Sequence, residues 1–580
     1  MSKSIYEKLS EERKELQKQG KLPDWFTTGS YQMFKESYQY QADGYFEQIR
    51  RIAKHMAQYA PTFLEVDNPY YEKITKNYGS DWETCFYEVM AKGYLSPSSP
   101  VLSNGGTDRG SPVSCSGQYV EDSIDGFFKA RHEAALLTKE GFGTSAYLGG
   151  VRPRGSSISK GGKAEGTLPV LVGFTNDARD VSQAGVRRGS WAGYIEIDHG
   201  DFDEWCDYLH KNPQGLNIGW NITKDFIAKC EAEDEDSIRR FKKALWVKMQ
   251  TGKGYFWKVD HVNEQQPLMY KDRGLSNKAS NLCTEITLHA DDEHTYTCVL
   301  SSMNLFFFDK WKETGAAFIG LVFLDCVAES FIQRCKNTKG LERAITYTEK
   351  ARSLGLGALG FHSYLQKKMI PFDSFDAHQI NTEIFKHLHD ETLEASKWMA
   401  KAWGEPAWCK GYGVRNTHRL SVAPNMSSAT IAGQVSQGIE PIFANVFMQA
   451  TAAGEMQRIN PQFLAIMQER GKHSKTTIRS IIDKNGSVQH LDWLSEEEKA
   501  VFKTAFEIDQ RAILRLASTR QRYIDQGQSL NLFFAAEEDE EYIAQIHKEA
   551  LLDDWIKGLY YVRTLAGVQA AKDECVACAG

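Results

Sequence analysis

Asn281-Leu282-Cys283-Thr284-Glu285-Ile286 sets an amide, a thiol and a carboxylate at alternate positions. In a β-strand alternate residues share one face. The spacing therefore predicts a strand that turns Asn281, Cys283 and Glu285 into one site. A thiol beside a carboxylate suits redox or radical chemistry on a polar substrate. The competing reading of the same six residues is a buried strand with one incidental polar face.

Upstream, the texture changes at Leu95. Before it, residues 1 to about 95 read as mostly helical and rich in aromatics, with no phosphate loop. After it, Ser96-Pro97-Ser98-Ser99-Pro100 leads into Val101-Leu102-Ser103-Asn104-Gly105-Gly106, which reads as a strand broken by turn residues. Ser114-Cys115 follows, then the acidic Glu121-Asp122-Ser123-Ile124-Asp125. Next come loops of Gly with Arg, around Gly141-Phe142-Gly143, Gly149 to Gly155 and Gly185 to Gly189. Glycine lets backbone approach a phosphate and arginine neutralises it. Any one such loop is ordinary turn chemistry; several in one region point to a nucleotide.

Downstream, residues 230 to 250 and 379 to 403 read as helices, the second with an apolar stripe at Ile380, Ile384 and Leu388. Gly355-Leu356-Gly357-Ala358-Leu359-Gly360 matches the dinucleotide fingerprint, but no βαβ unit surrounds it, so close packing in a strand or turn is expected instead. Ala423-Pro424-Asn425-Met426-Ser427-Ser428-Ala429-Thr430 could offer N–H groups and hydroxyls to an anion, or be an ordinary helix cap. Residues 466 to 500 read as a polar insertion, and helix resumes from Asp509 to about Leu530. Trp555 to Arg563 reads as a last ordered strand, and a small, polar tail ends in Cys575-Val576-Ala577-Cys578. One CxxC is half a zinc site, and no second pair completes it, so no metal centre is expected. A dithiol on a tail makes better sense as a redox shuttle. The stretch from Tyr561 to Cys575 could span roughly 45 Å when extended.

The bulk numbers narrow the class. Length alone, 580 residues, suggests about four domains; one large α/β barrel with a helical appendage fits equally. Net charge is -7 with no long basic run, which argues against duplex nucleic acid. The N-terminus has no apolar h-region. The longest apolar run, Ala316 to Leu324, is too short to span a bilayer. No membrane association and a cytosolic (cytoplasmic) location are expected. The 11 cysteines, odd in number and scattered, argue against a structural disulfide framework.

Taken in order, SPVLSNGGT, Ser114-Cys115 with Asp122-Ser123-Ile124-Asp125, NLCTEI, TCVLSSMNL, APNMSSAT, IDQGQSLNLF, LYYVRT and a terminal cysteine pair resemble the catalytic (large, α) subunit of ribonucleotide reductase from about Leu95 onward. The fold this resemblance implies is α/β: a ten-stranded α/β barrel with a central finger loop over residues 96–564. An N-terminal helical region over 1–95 precedes it and a flexible C-terminal redox tail over 565–580 follows. The activity implied is thiyl-radical reduction of ribonucleoside diphosphates to deoxyribonucleoside diphosphates.

By the same resemblance Cys283 is the thiyl residue that takes hydrogen from C3′. Glu285 is the base on the 3′-hydroxyl and Asn281 orients the sugar. Cys115 protonates the leaving 2′-hydroxyl, and Cys298 is its disulfide partner. Cys575 and Cys578 would reduce that disulfide and be reset by thioredoxin or glutaredoxin. Ser99, Ser114 and the Gly143 backbone match the ribose and base side of the substrate site. Pro424, Asn425, Met426, Ser427 and Ser428 match its diphosphate side, with Met426 standing where an acidic residue is expected. Asp122, Ser123, Ile124 and Arg152 resemble a dNTP (or ATP) effector site at a homodimer interface. The loop Gln183 to Arg188, with Arg187, resembles the element that couples effector to substrate choice.

Tyr560-Tyr561 resembles the class I radical path, in which a separate metal-containing small (β) subunit supplies the radical and this chain binds no cofactor. No ATP-cone motif is seen, so dATP inhibition through a cone is not expected. The competing readings are a class II, adenosylcobalamin-dependent reductase, a glycyl-radical enzyme, and a non-catalytic nucleotide-sensing or redox scaffold. The tyrosine pair argues against the first, the CxxC tail against the second, and Cys115, Cys283, Cys298 and Glu285 together against the third.

Overall fold

The computed structural model describes residues 5–62, 68–159, 161–183, 187–451 and 454–564. Cys575 and Cys578 lie outside these residues.

Five helices open the chain: Ile5–Lys18, Thr28–Ser37, Tyr45–Ala57, Tyr71–Tyr78 and Trp82–Ala91. Two of their starts carry side-chain caps. Thr27 and Ser30 form a reciprocal capping box, and the Asp81 side chain accepts from Thr84 N. Trp25, Phe26, Phe34 and Tyr45 pack mostly edge to face, with centroids 4.8 to 6.0 Å apart. This layer rests on the helix Ala316–Cys335, which is apolar on nearly all sides because nearly all of it is core. By length and composition it could cross a membrane, yet 89% of its most apolar window is buried within the fold.

Behind that helix stands one sheet of nine strands. Cys115–Tyr119, Gly143–Tyr147, Trp191–Glu196, Ile218–Asn221 and Tyr255–Trp257 lie side by side in that order and run parallel to one another. Helices such as Ile124–Glu140 and Phe202–Lys211 make the crossovers that parallel pairing requires. Tyr296–Asn304, buried at all nine positions, pairs antiparallel with Cys115–Tyr119 and Leu95–Pro97 and parallel with Leu354–Leu359.

The ring then closes. Leu356 bridges Leu420, Val422 bridges Gln528, Leu532–Phe534 pairs with Val562–Thr564, and Gly558–Leu559 returns to Tyr255–Trp257. This is an α/β barrel. The resemblance implies ten strands; the continuous sheet holds nine among the described residues, and the remaining wall is made by these short bridges.

Four local expectations change. Residues 281–286 form no strand: Thr284 adopts φ +67°, its N–H turns back to Asn281 O at 3.4 Å, and the segment is a loop. Val101 to Ser103 lie in the helix Ser99–Asn104, which Pro100 starts well because its fixed φ suits a first turn. The last strand is two short strands, Gly558–Leu559 and Val562–Thr564, broken at Tyr560-Tyr561. Residues 466 to 500 are not merely polar: short helices there bury Met467, Ile481, Leu491 and Leu494 in a core of their own.

The glycine-rich Leu354–Leu359 is a strand, as expected from close packing. A Cβ on Gly357 would sit 2.5 Å from Ser421 O, so only glycine lets the neighbouring chain approach.

Candidate active site

The loop 281–286 is held from several walls of the barrel at once. Tyr194 Oη donates to Asn281 O (2.7 Å), Gly527 N and Ser421 Oγ donate to Glu285 O (2.8 and 3.0 Å), and Ser280 Oγ donates to Ile286 O (2.7 Å). Leu282 approaches Gly143. These anchors put the loop inside the ring, with Asn281, Cys283 and Glu285 all buried. A turned loop rather than a strand face carries the three residues into the ring.

Cys115 and Cys298 are direct cross-strand partners in the antiparallel ladder. Facing Cα atoms in such a ladder are about 4.5 to 5.5 Å apart, within the span that a disulfide bridges. Both cysteines are free thiols in the structure. Burial pushes the Cys115 thiol well up, and the charges of Glu285 and Cys298 add to this, while the Asn281 hydrogen bond opposes it. That bond runs from Asn281 Nδ2 to Cys115 Sγ at 3.4 Å. Burial likewise raises Cys298, against a hydrogen bond from Gln526 Nε2 at 3.3 Å. Both groups are thus kept as thiols, able to give a proton, in a site where Glu285 is also buried.

Cys283 packs in one apolar cluster with Tyr194, Tyr255, Trp257, Leu282 and Tyr560, and Met426 and Tyr561 pack against its edge. Ring centroids lie 4.0 Å apart for Tyr560 and Tyr561, 4.7 Å for Tyr255 and Tyr560, and 5.5 Å for Tyr255 and Tyr561. Tyr560 is fully buried and Tyr561 half-buried, so the pair runs from the cluster toward the surface.

The remaining candidates fall in two groups. Ser114 Oγ donates to Ser98 Oγ (3.3 Å) and Ser98 N to Ser301 Oγ (3.2 Å), a hydroxyl patch beside Cys115. Gly143 N is used by Ser114 O (2.8 Å), and Ser99 Oγ faces Tyr38 Oη (3.0 Å). Asn425, at φ +58°, spends its side chain on Ser302 Oγ, Ala358 O and Ala423 O. It therefore shapes the turn at Pro424, after which Met426, Ser427 and Ser428 open the helix Met426–Ile431.

Away from the barrel interior, Arg152 Nε pairs with Asp122 Oδ2 at 2.6 Å, and Ser123 caps the helix Ile124–Glu140 by accepting from Gly126 N. Ile124, at 71% exposure, projects from the first turn of that helix. Arg187 lies in a two-residue strand paired with Ser182–Gln183, next to residues outside the described set.

His289, Asp291 and His294 form a group with ligand atoms within 4.8 Å of one another. Lys350 Nζ, a donor, lies 3.0 Å from His294 Nε2, so His294 carries its proton on Nδ1 and gives it to Asp291 Oδ1 at 2.8 Å. His289 Nε2 lies 2.8 Å from Asp291 Oδ2. Burial works against ionised Asp291, but hydrogen bonds from both histidines and charge from His289 hold it at about 2. The group is a hydrogen-bonded triad that presents a proton, not a lone pair, on its His294 side.

Gln526 falls in one of the motif stretches, which gave it no role, and Tyr194, Tyr255 and Lys248 escaped sequence reasoning altogether. None of them has a spacing signal; each acts through a neighbour distant in sequence.

The family description "Ribonucleotide reductase, barrel domain" matches residues 113–248, 237–412 and 407–562, and "Ribonucleotide reductase, all-alpha domain" matches 24–110. The chain is 35% identical over 528 residues, 85% of its length and 92% of the other's, to a putative ribonucleoside-diphosphate reductase large subunit of Frog virus 3 (isolate Goorha). It is 31% identical over 560 residues to the ribonucleoside-diphosphate reductase large subunit of Invertebrate iridescent virus 3, covering 82% of this chain and 87% of that one. The solved Actinobacillus ureae class Id ribonucleotide reductase alpha subunit is similar in structure, with TM-score 0.83 and 38% identity, covering 93% of this chain and 97% of that chain.

Proposed function

Because the chain belongs to the ribonucleotide reductase large-subunit family and is the catalytic subunit of such an enzyme, we propose that it reduces ribonucleoside diphosphates by a thiyl-radical route. The observation that carries the reading is the register of Cys115 against Cys298, with Asn281 on the first sulfur and Gln526 on the second.

The roles follow from what each group can do. Cys283 takes the C3′ hydrogen atom as a thiyl radical and returns it at the end. Glu285, buried within the same loop, accepts the 3′-hydroxyl proton. Cys115, kept protonated by burial and by neighbouring charge, gives its proton to the departing 2′-hydroxyl. Two electrons then come from Cys115 and Cys298, which close a disulfide in the register they already hold. Cys575 and Cys578 reopen it by thiol exchange and are reset by thioredoxin or glutaredoxin.

A separate metal-containing small subunit supplies the radical through Tyr561 and Tyr560. The aromatic cluster that joins Tyr560 to Cys283 supports this path. Substrate lies between the Ser98, Ser114 and Ser301 hydroxyls and the Pro424 to Ser428 turn. A dNTP effector lies at Asp122, Ser123, Ile124 and Arg152, coupled through the 183 to 188 segment with Arg187. The exposed Ile124 supports a homodimer contact at that helix. The reading places the enzyme in the cytosol, in the organisation 1–95, 96–564 and 565–580.

The deciding experiment is ribonucleoside diphosphate reduction with a dithiol and an effector dNTP in three arms: the chain alone, with adenosylcobalamin, and with its radical-carrying small subunit. Product is expected in the third arm only. Product in the second would make the tyrosine pair mere packing. No product in any arm, with a small subunit shown to hold its radical, would overturn the catalytic reading.

A further inference from the structure

Lys248, on the helix Glu235–Thr251, is fully buried. Its Nζ donates to Gly254 O at 3.1 Å and to the backbone carbonyl of Tyr560. It stands 5.9 Å from the centroid of the Tyr255 ring and 5.4 Å from that of Phe256. Burial pushes its ammonium down to about 7, and no carboxylate among the described residues pulls it back.

A buried cation is costly to take out of water even after relaxation. An apolar residue would serve the helix equally well, so packing alone does not account for this lysine. What it touches does. Tyr560 and Tyr561 stand where the ladder breaks, between Gly558–Leu559 and Val562–Thr564. Tyr560 N is held by Leu530 O (2.8 Å), Tyr561 N by Asn531 Oδ1 (2.9 Å) and Tyr561 O by Leu532 N (3.1 Å). Lys248 supplies the fourth tie, on Tyr560 O, and joins it to the residue preceding Tyr255.

We propose that Lys248 is a positioning residue for radical transfer: its ammonium clamps the Tyr560 and Gly254 carbonyls together and so fixes the Tyr560 ring against Tyr255 and Tyr561. The inference rests on the reading that Tyr560 carries the radical. The step it serves is balanced without other reactants. The Tyr560 phenoxyl gains one hydrogen atom and becomes a phenol, while Cys283 loses it and becomes a thiyl.

The test uses the full chain with its radical-carrying small subunit. Lys248→Met keeps the stem and removes the charge; Lys248→Arg keeps charge and donors. Lys248→Met is expected to lower kcat at least about tenfold while KM for the ribonucleoside diphosphate stays within about twofold. With 3-aminotyrosine at position 560, the radical trapped there and read by electron paramagnetic resonance falls in parallel, and Lys248→Arg recovers most of both. Wild-type kcat and radical yield in Lys248→Met would overturn the proposal. Should that variant not fold, Lys248→Gln carries the same readouts, and wild-type values in it overturn the proposal likewise. Tyr560→Phe separates the two readings. Activity retained there removes the radical path itself. An inactive Tyr560→Phe beside a wild-type-like Lys248→Met removes only the part given to Lys248.

Discussion

Gln526 Nε2 lies 3.3 Å from Cys298 Sγ and 2.8 Å from Leu354 O, while Gln526 Oε1 accepts from Thr287 N at 3.3 Å. One buried amide thus ties the Cys298 thiol, a barrel strand and the end of the finger loop together. Its bond to sulfur favours the thiolate of Cys298, against burial. Gln526→Leu strands the Leu354 carbonyl and the Thr287 N–H in the core, a cost of about 1–3 kcal/mol for each group left unpaired. A lower unfolding midpoint is expected, with re-reduction of the oxidised enzyme by a small dithiol slowed several-fold because Cys298 loses the hydrogen bond that stabilises it as the leaving thiolate. An unchanged re-reduction rate would show that the amide does not tune the thiol.

Stoichiometry tests the two roles proposed for the buried cysteines. Cys283→Ser should give no product at all, while nucleotide affinity stays within about twofold. Cys115→Ser and Cys298→Ser should each prevent the loss of two titratable thiols that one turnover of the wild type produces. Thiol counts before and after a single turnover without reductant check this. Loss of two thiols in Cys298→Ser would remove the pairing.

Reduction by the tail is tested at residues 575 and 578. The double variant Cys575→Ser, Cys578→Ser should keep its rate with a small dithiol, which reaches the buried disulfide directly, and lose nearly all of it with thioredoxin. Equal rates with both reductants would end the shuttle assignment.

Glu440 gives a pH dependence with a definite sign. It accepts from Asn531 Nδ2 at 2.6 Å, and Asn531 in turn holds Tyr561 N. Burial raises its carboxyl to about 7 from an ordinary 4.5, against the pull of Arg563 and Asn531. Its folded-state value is the higher one. The stability it contributes is therefore full below about 4.5 and is lost as pH rises through about 7. Glu440→Gln keeps an acceptor for Asn531 and cannot titrate. Across that window the wild type should lose a few kcal/mol relative to this variant, on the order of 1.4 kcal/mol for each pH unit crossed. Denaturation midpoints of both proteins at pH 5, 6, 7 and 8 measure this; parallel curves would refute it.

The family of this chain was legible because its motifs reside in residue identity and order. Asn281, Cys283 and Glu285 suggest a polar redox site in six residues, and Cys115, Cys298 and the tyrosine pair fall on further motifs of the same chain. Helices with a continuous apolar stripe, such as Phe375–Trp403, were legible for the same local reason. The finger loop was not. Alternation at 281–286 reads as strand, yet a strand needs a neighbouring ladder, and inside a closed barrel there is none. The loop instead takes its hydrogen bonds from Tyr194, Ser421 and Gly527, residues about 85 to 245 positions away. Lys248 was equally hidden, since in sequence it is one more polar residue of a surface-like helix. Sequence alone determined the family and which thiols, carboxylates and phenols the chain carries. Only the closed ring of strands decided which of them meet, because the buried partners that fix each one are brought together by long-range pairing and not by local spacing.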